Sequence, residues 1–512
     1  MGKVQDIPLE LAQKIIVEEL DKNDHKTLRL LNKHTKSVVD PILFSHIQLF
    51  RFKTAQELVE SLAKGEDGGC IAQSIKSLDF QWDVPATSSK ECVAYEEAMK
   101  KFLAEALKKM VKLQSFKLIM NAVMGSQWLY PNIFSSLGTL TSLSTFEYCN
   151  DHDNEDRHTV IPFHHLRNLQ HVKINSTLRN TEERLVKPLS LTLGNSPALT
   201  HVSVELEEFY DSEGEYPRLD TLFSNSPQDL PLRIVYLRLE GIVDSLSPSY
   251  IQHLRSLKSV DITFKLDSGD DEEEEEEEDP DAHPESEPSI WRTFLDSDKV
   301  GIKLEKVVVN GLTEDLLLYL ASYSGLQDLE LSFQEHPEAQ DSETSERRSR
   351  ILYDTVIPKH SMTLRVLKLP KTPEAYWHVG MQNVGQLQQC VNLQVVHLLL
   401  NHDDIGEPNS ENDVLTKVLN IAVRMDKLEE LEIGFPIIDD VQVALLLAVQ
   451  WHENISSVRC KYRRQQRHPP ASLCVRFAGQ VFELREAEDK DENGDRYSVF
   501  VPTIPISGEE ER

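Results

Sequence analysis

Asp489-Lys490-Asp491-Glu492-Asn493-Gly494-Asp495 imitates the first seven positions of a calcium loop, in which alternate carboxylates and a sixth-position glycine wrap a cation. Position twelve should be a bidentate glutamate but is Phe500, and the flanks alternate like strands. A hairpin turning at Asn493-Gly494 is therefore expected, without calcium. His164 and His165 are adjacent; on a strand they would point to opposite faces and on a helix they would not share one, so they are expected to be surface or loop residues and not metal ligands. No Gly-rich phosphate loop with Lys, no H-E-x-x-H and no G-x-S-x-G occurs. The basic cluster Arg459, Lys461, Arg463, Arg464 and Arg467 could hold a phosphate or an acidic peptide, but a solvated charge run is the plainer reading. The chemistry expected is recognition: no catalytic residue, no cofactor and no metal.

The charge balance narrows what is recognised. Of 512 residues, 85 are acidic and 54 basic, a net charge of −31, which disfavours nucleic acid and anionic membranes as partners. Hydrophobic residues make up 40%, enough for an extended core. The six cysteines include no C-x-x-C pair, which fits a reducing compartment. The longest apolar stretch, Val443 to Val449, is far short of a membrane span, and Asp6 stands where a myristoylation motif needs Ser or Thr. A soluble protein of the cytoplasm, the nucleus or both is expected.

The pattern L-x-x-L-x-L, the strand of a leucine-rich repeat, recurs thirteen times from Ile75 to Ile455, at intervals of 22 to 47 residues. The clearest copies are Leu326-Gln-Asp-Leu-Glu-Leu331 and Leu428-Glu-Glu-Leu-Glu-Ile433. Between them lie stretches with helical spacing, such as Tyr95, Ala98, Phe102, Ala106, Met110 and Val414, Leu415, Val418, Leu419, Ala422. The fold class expected is α/β: an irregular solenoid with a parallel sheet on its concave face. Asn, usual three residues after the motif, occurs only as Asn121 and Asn401, so no regular asparagine ladder is expected.

Within each motif the residue between the last two apolar positions points away from the core. These are Asp79, Lys117, Glu147, Lys173, Ser203, Arg238, Asp261, Val308, Glu330, Lys368, His397, Glu432 and Arg459. Acidic and basic residues are interspersed, unlike the positive stripe of a phosphate-backbone reader, which argues for a protein ligand recognised by complementarity. Glu330, Lys368, His397 and Glu432 are the expected substrate-binding set, because these later units keep the pattern best.

From Asp267 to Pro288 the composition shifts to fourteen acidic residues with no Lys or Arg, expected as a disordered insertion. Gln334 to Arg350 reads as a polar loop. Val475–Arg485 and Arg496–Val501 alternate like the two strands of a capping hairpin. At the other end, Ile7-Pro8 opens a helix with Leu11, Ile15, Ile16 and Leu20 on one face, Asp24 caps a second helix containing Leu28 and Leu31, and a third ends before Asp40-Pro41. Three helices this short bury too little to stand alone, so the segment asks for a partner.

Ile7-Pro8-Leu-Glu-Leu11, Ile15-Ile16, Leu20-Asp21, Thr27-Leu-Arg-Leu-Leu-Asn-Lys33 and Asp40-Pro41-Ile-Leu-Phe44 resemble an F-box, over residues 6 to about 49, and the repeats that follow resemble the leucine-rich class of F-box proteins. The resemblance implies docking on a Skp-type adaptor, and through it on cullin and RING subunits of a ubiquitin ligase, while the repeats hold a protein substrate. Carried over by position, Pro8, Leu11, Ile15, Leu20 and Leu28 would face the adaptor. The expected organisation is an F-box at 1–50, a helical linker at 51–70, the solenoid at 71–465 with the acidic insertion at 267–288, a cap at 466–502 and an acidic tail at 503–512. A different class, a leucine-rich acidic scaffold or histone chaperone without ligase role, would instead use the acidic run to bind basic proteins.

Overall fold

The structure, a computed structural model, describes residues 22–30, 33–50, 52–65, 71–82, 89–121, 128–150, 159–177, 181–207, 216–243, 245–263, 288–297, 301–332, 342–370, 375–434, 449, 451–461, 473–477, 480–490 and 496–503. The chain divides into two compact units, Met1–Ser256 and Leu257–Arg512.

Among the described residues of the first unit, seven strands pair in parallel, each with the next: β1 (His46–Leu49), β2 (Ser77–Trp82), β3 (Ser115–Met120), β4 (Thr145–Asn150), β5 (His171–Ser176), β6 (His201–Leu206) and β7 (Tyr236–Glu240). Burial alternates along β2, β3 and β4, with Leu78, Phe80 and Trp82, Phe116, Leu118 and Met120, and Phe146 and Tyr148 facing the core. This is the period-two pattern the motif encodes. A sequence-independent bond joins neighbouring repeats. One carbonyl just ahead of each strand accepts two N–H groups of the next repeat: Lys76 O from Gln114 and Ser115, then Gln114 O from Ser144 and Thr145. The helix Lys90–Lys109 begins at Ser89, whose hydroxyl accepts the Cys92 N–H, and buries Tyr95, Ala98, Met99, Leu103, Ala106 and Leu107. Phe102, expected on that face, lies half-exposed under the ammonium groups of Lys64 and Lys101.

The second unit repeats the plan. β8 (Ser259–Thr263), β9 (Lys306–Val309), β10 (Asp328–Leu331), β11 (Val366–Lys368), β12 (Val395–Leu399) and β13 (Glu430–Gly434) are parallel neighbours. The shared-carbonyl bond recurs, Gln327 O accepting from Arg365 and Val366 and Arg365 O from Gln394 and Val395. After β14 (Cys460–Lys461), β15 (Cys474–Phe477) adds to β13 in parallel, and β16 (Gln480–Lys490) and β17 (Arg496–Pro502) follow antiparallel. The stretch expected as one strand, Val475–Arg485, is thus two, because the chain reverses between Phe477 and Gln480.

Other expectations are corrected. Asp24 sits in the first turn of the helix Lys22–Arg29 instead of capping it, a place where its charge still favours the helix dipole. The helix Lys33–Leu43 runs through Pro41; the proline falls near its end, where few backbone bonds remain to lose, and Arg29 Nε bonds Asp40 Oδ1 at 2.5 Å to tie the two helices together. The sheet starts at β1, inside the range expected for the F-box. Phe52–Lys64, within the range expected as a helical linker, is a helix, and it buries Ala55, Val59 and Leu62 as the helix of the first repeat. Ser342–Ile351, within the expected polar loop, is a helix that packs through the small residues Ser345 and Ser349. The acidic run 267–288 lies outside the described residues but for Pro288. Among the described residues, no helix is long and apolar enough to cross a membrane.

Candidate functional site

The strand face opposite the helices carries the polar side chains, and the register decides which of them meet. In the second unit Asp261, Val308, Glu330, Lys368, His397 and Glu432 are successive Cα partners across five strand pairs. The four expected substrate residues are therefore direct neighbours in one row, about 5 Å from strand to strand. Lys368 Nζ bonds Glu330 Oε2 at 2.7 Å, and Lys306 Nζ reaches its other oxygen at 3.2 Å. Burial works to raise the Glu330 carboxyl, but the two lysines outweigh it and hold the group below the usual carboxylate range.

The row continues to Arg476 on β15, the partner of Glu432. Arg459, expected as its last member, instead precedes β14 and lays its guanidinium 5.1 Å from the centre of the Tyr497 ring. Next to the end of the row, His397 sits between two carboxylates of β13: Nδ1 is 3.4 Å from Glu432 Oε2, and Nε2 is 3.5 Å from Glu430 Oε1. One donor atom from each of these three residues lies within 4.8 Å of the others. Glu430 was missed from the sequence because only the residue between the last two apolar positions was taken as outward. In Leu428-Glu-Glu-Leu-Glu-Ile433 the residue two before it, Glu430, shares its face.

The first unit carries a matching row, Asp79, Lys117, Glu147, Lys173, Ser203 and Arg238, again in direct register. Lys117 Nζ bonds Glu147 Oε1 at 2.7 Å, while Glu205 gathers Lys173 at 3.5 Å and Arg238 at 3.3 Å. Opposite charges thus meet across the strands, one carboxylate serving two cations at Glu205. Such a face offers shape and hydrogen-bond complementarity to a partner more than a net field.

Of the expected adaptor-facing residues, Pro8, Leu11, Ile15 and Leu20 lie outside the described residues. Leu28 is half-buried and packs on Val38 and Val39 together with Ile42 and Leu43. Phe163–His165 is a single 3-10 turn, in which the rings of His164 and His165 lie 4.2 Å apart. Burial and the neighbouring His164 and Arg167 push the His165 pKa down. Phe500, in place of the calcium loop's last ligand, is buried in β17. Asn493-Gly494 and the basic residues Arg463, Arg464 and Arg467 lie outside the described residues.

No family model matches the sequence, and no curated protein matches it. Among solved structures the chain is similar to the one described as "Crystal structure of TLR13-ssRNA13 complex", at 11% identity over 77% of this chain. It spans about half of that chain, 54%, with a TM-score of 0.25, a likeness too slight to bear on the function. What the structure establishes by itself is an α/β fold of stacked strand–helix repeats with a mostly parallel sheet in each unit.

Proposed function

We propose that this chain is the substrate-recognition subunit of a cullin RING ubiquitin ligase, its N-terminal helices docking on a Skp-type adaptor and the strand face of its repeats holding a protein substrate. The observation that carries the reading is the junction at Ser45. The helix pair Lys22–Arg29 and Lys33–Leu43 ends there, and the Ser45 carbonyl is already the first shared acceptor of the repeats, taking Lys76 N at 2.8 Å and Ser77 N at 2.9 Å. A docking element joined without a spacer to a recognition surface is what a rigid adaptor needs. The pair also leaves apolar surface: Leu28, Ile42 and Leu43 are half-covered, and Leu30 is 83% exposed.

The mechanism is proximity. A substrate held on the repeats stands near a ubiquitin-charged partner, so that transfer becomes effectively intramolecular, and no residue of this chain takes part in the covalent step. The test is affinity purification with the full chain and with a variant lacking residues 1–44. The full chain should retain a Skp-type adaptor at about 0.15 M salt, where surface charge is already screened. The truncated chain should lose the adaptor and keep the substrate. Histones retained in place of the adaptor, and lost on removal of residues 267–288, would overturn the reading in favour of an acidic scaffold.

A further inference from the structure

His397, Glu430 and Glu432 bring the donor chemistry of a cation site together on the strand face. β12 and β13 are parallel neighbours in which Val395 faces Glu430 and His397 faces Glu432, so the imidazole stands between two carboxylates that share one face of the next strand. Side-chain exposures of 17%, 28% and 27% for His397, Glu430 and Glu432 place the group at the surface yet well supported. We propose that His397, Glu430 and Glu432 form a binding site for one divalent transition-metal cation of the zinc class. The inference stands on this geometry and does not depend on the ligase reading.

Chemistry selects the class of cation. One imidazole nitrogen with two carboxylate oxygens suits zinc and its neighbours, whereas calcium and magnesium favour all-oxygen sets. Donors at about 2.0–2.2 Å from zinc in a tetrahedron lie roughly 3.3–3.6 Å apart. Binding contracts the present spacing, at most 4.8 Å, by side-chain rotation that brings both carboxylates to one ring nitrogen, since Glu432 now approaches Nδ1 and Glu430 approaches Nε2. Two carboxylates and a neutral ring match the charge of a dication. Three protein ligands leave a coordination position open on the strand face, for water or for a donor from whatever protein binds there.

The neighbouring cations set the terms of competition. Lys368, beside His397 in register, is engaged with Glu330 at 2.7 Å. Arg476 Nε lies 3.5 Å from Glu430 Oε1 and must swing aside for that oxygen to bind metal; its side chain is 55% exposed and free to do so. A cation site therefore makes a prediction that an imidazolium held by two carboxylates does not: Arg476→Ala strengthens metal binding.

The test titrates the full-length, tag-free protein with cobalt(II), whose visible absorption reports imidazole and carboxylate ligation, and then displaces the cobalt with zinc. One equivalent should bind. His397→Ala and, separately, Glu432→Gln, which keeps the shape of the side chain and so the fold, should each weaken cobalt binding by at least about tenfold, and Arg476→Ala should tighten it. Circular dichroism on each variant checks that the fold is intact. Absence of stoichiometric uptake by the native chain, or uptake unchanged in both ligand variants, overturns the proposal.

Discussion

Ser196, His253 and His360 do one job in three repeats: each accepts the backbone N–H of a leucine just ahead of a strand, Leu169 at 3.1 Å, Leu232 at 3.2 Å and Leu326 at 3.2 Å. A histidine in that role must be neutral at Nδ1, and burial holds the pKa of both rings below its ordinary value. In the unfolded chain the same rings protonate near pH 6.5, so their contribution is whole above about pH 6.5 and is lost as pH falls below it. His360→Leu, which orphans the Leu326 N–H, should cost about 1–3 kcal/mol at pH 7.5 and flatten the pH dependence of denaturant unfolding between about pH 5 and 7. An unchanged slope would mean that the ring does not titrate with folding. On the strand face, Glu330→Lys, Lys368→Glu and Glu432→Lys together should abolish substrate capture in a pull-down while leaving adaptor binding intact. Half-exposed pairs contribute little, so the melting temperature should move by no more than a few degrees. Capture that survives would place the substrate elsewhere. The row itself was legible from the sequence because strand period fixes the outward positions. The histidine acceptors were not, since nothing in their spacing tells a buried acceptor from a surface histidine.

At the scale of elements, caps decide where helices begin. Asp413 is buried and accepts from Leu415 N at 3.3 Å, Thr416 N at 3.0 Å and Thr416 Oγ1 at 2.5 Å, starting the helix Val414–Arg424. Asp413→Ala should therefore cost about 2 kcal/mol, the upper end for a cap, measured by denaturant unfolding. A cost under about 0.5 kcal/mol would show the helix held by its apolar face alone. Most of the buried face, Val414, Leu415, Val418, Leu419 and Ala422, was readable from its spacing, while Thr416 and Val423 are buried with it. The elements missed share a different cause: β1 has only Ile47 and Leu49 to signal a strand, and Ser342–Ile351 buries serines where a pattern search looks for leucines. Two other helices are wound as π-turns at Glu182–Val186 and Leu352–Val356, shortly before Pro188 and Pro358. Pro188 has no N–H to give to the Arg184 carbonyl, which accepts Ile161 N at 3.0 Å. Proline inside these helices is thus accommodated by rewinding and not by a break.

For the whole molecule, repetition made the architecture readable where overall similarity did not: a shared carbonyl and an alternating strand in each repeat need only leucine-like spacing. The long interval between the motifs of β8 and β9 is bridged by a strand pair in unbroken register, Ser259 with Lys306. Removing Ser268 to Glu287 should accordingly shift stability by no more than about 1 kcal/mol, because loop-closure entropy varies only logarithmically with length. A fall in melting temperature of about ten degrees or more would contradict this. The proposed ligase role requires the N-terminal helices to be a docking element. The most direct measurement is the affinity of a purified Skp-type adaptor for the full chain and for its Leu11→Ala, Ile15→Ala double variant, each with the melting temperature recorded. Two aliphatic side chains buried at an interface are worth on the order of 2 kcal/mol each, so the account predicts at least about a hundredfold loss of affinity with the repeats still folded. Equal affinity of the two proteins, or no affinity in either, would contradict it.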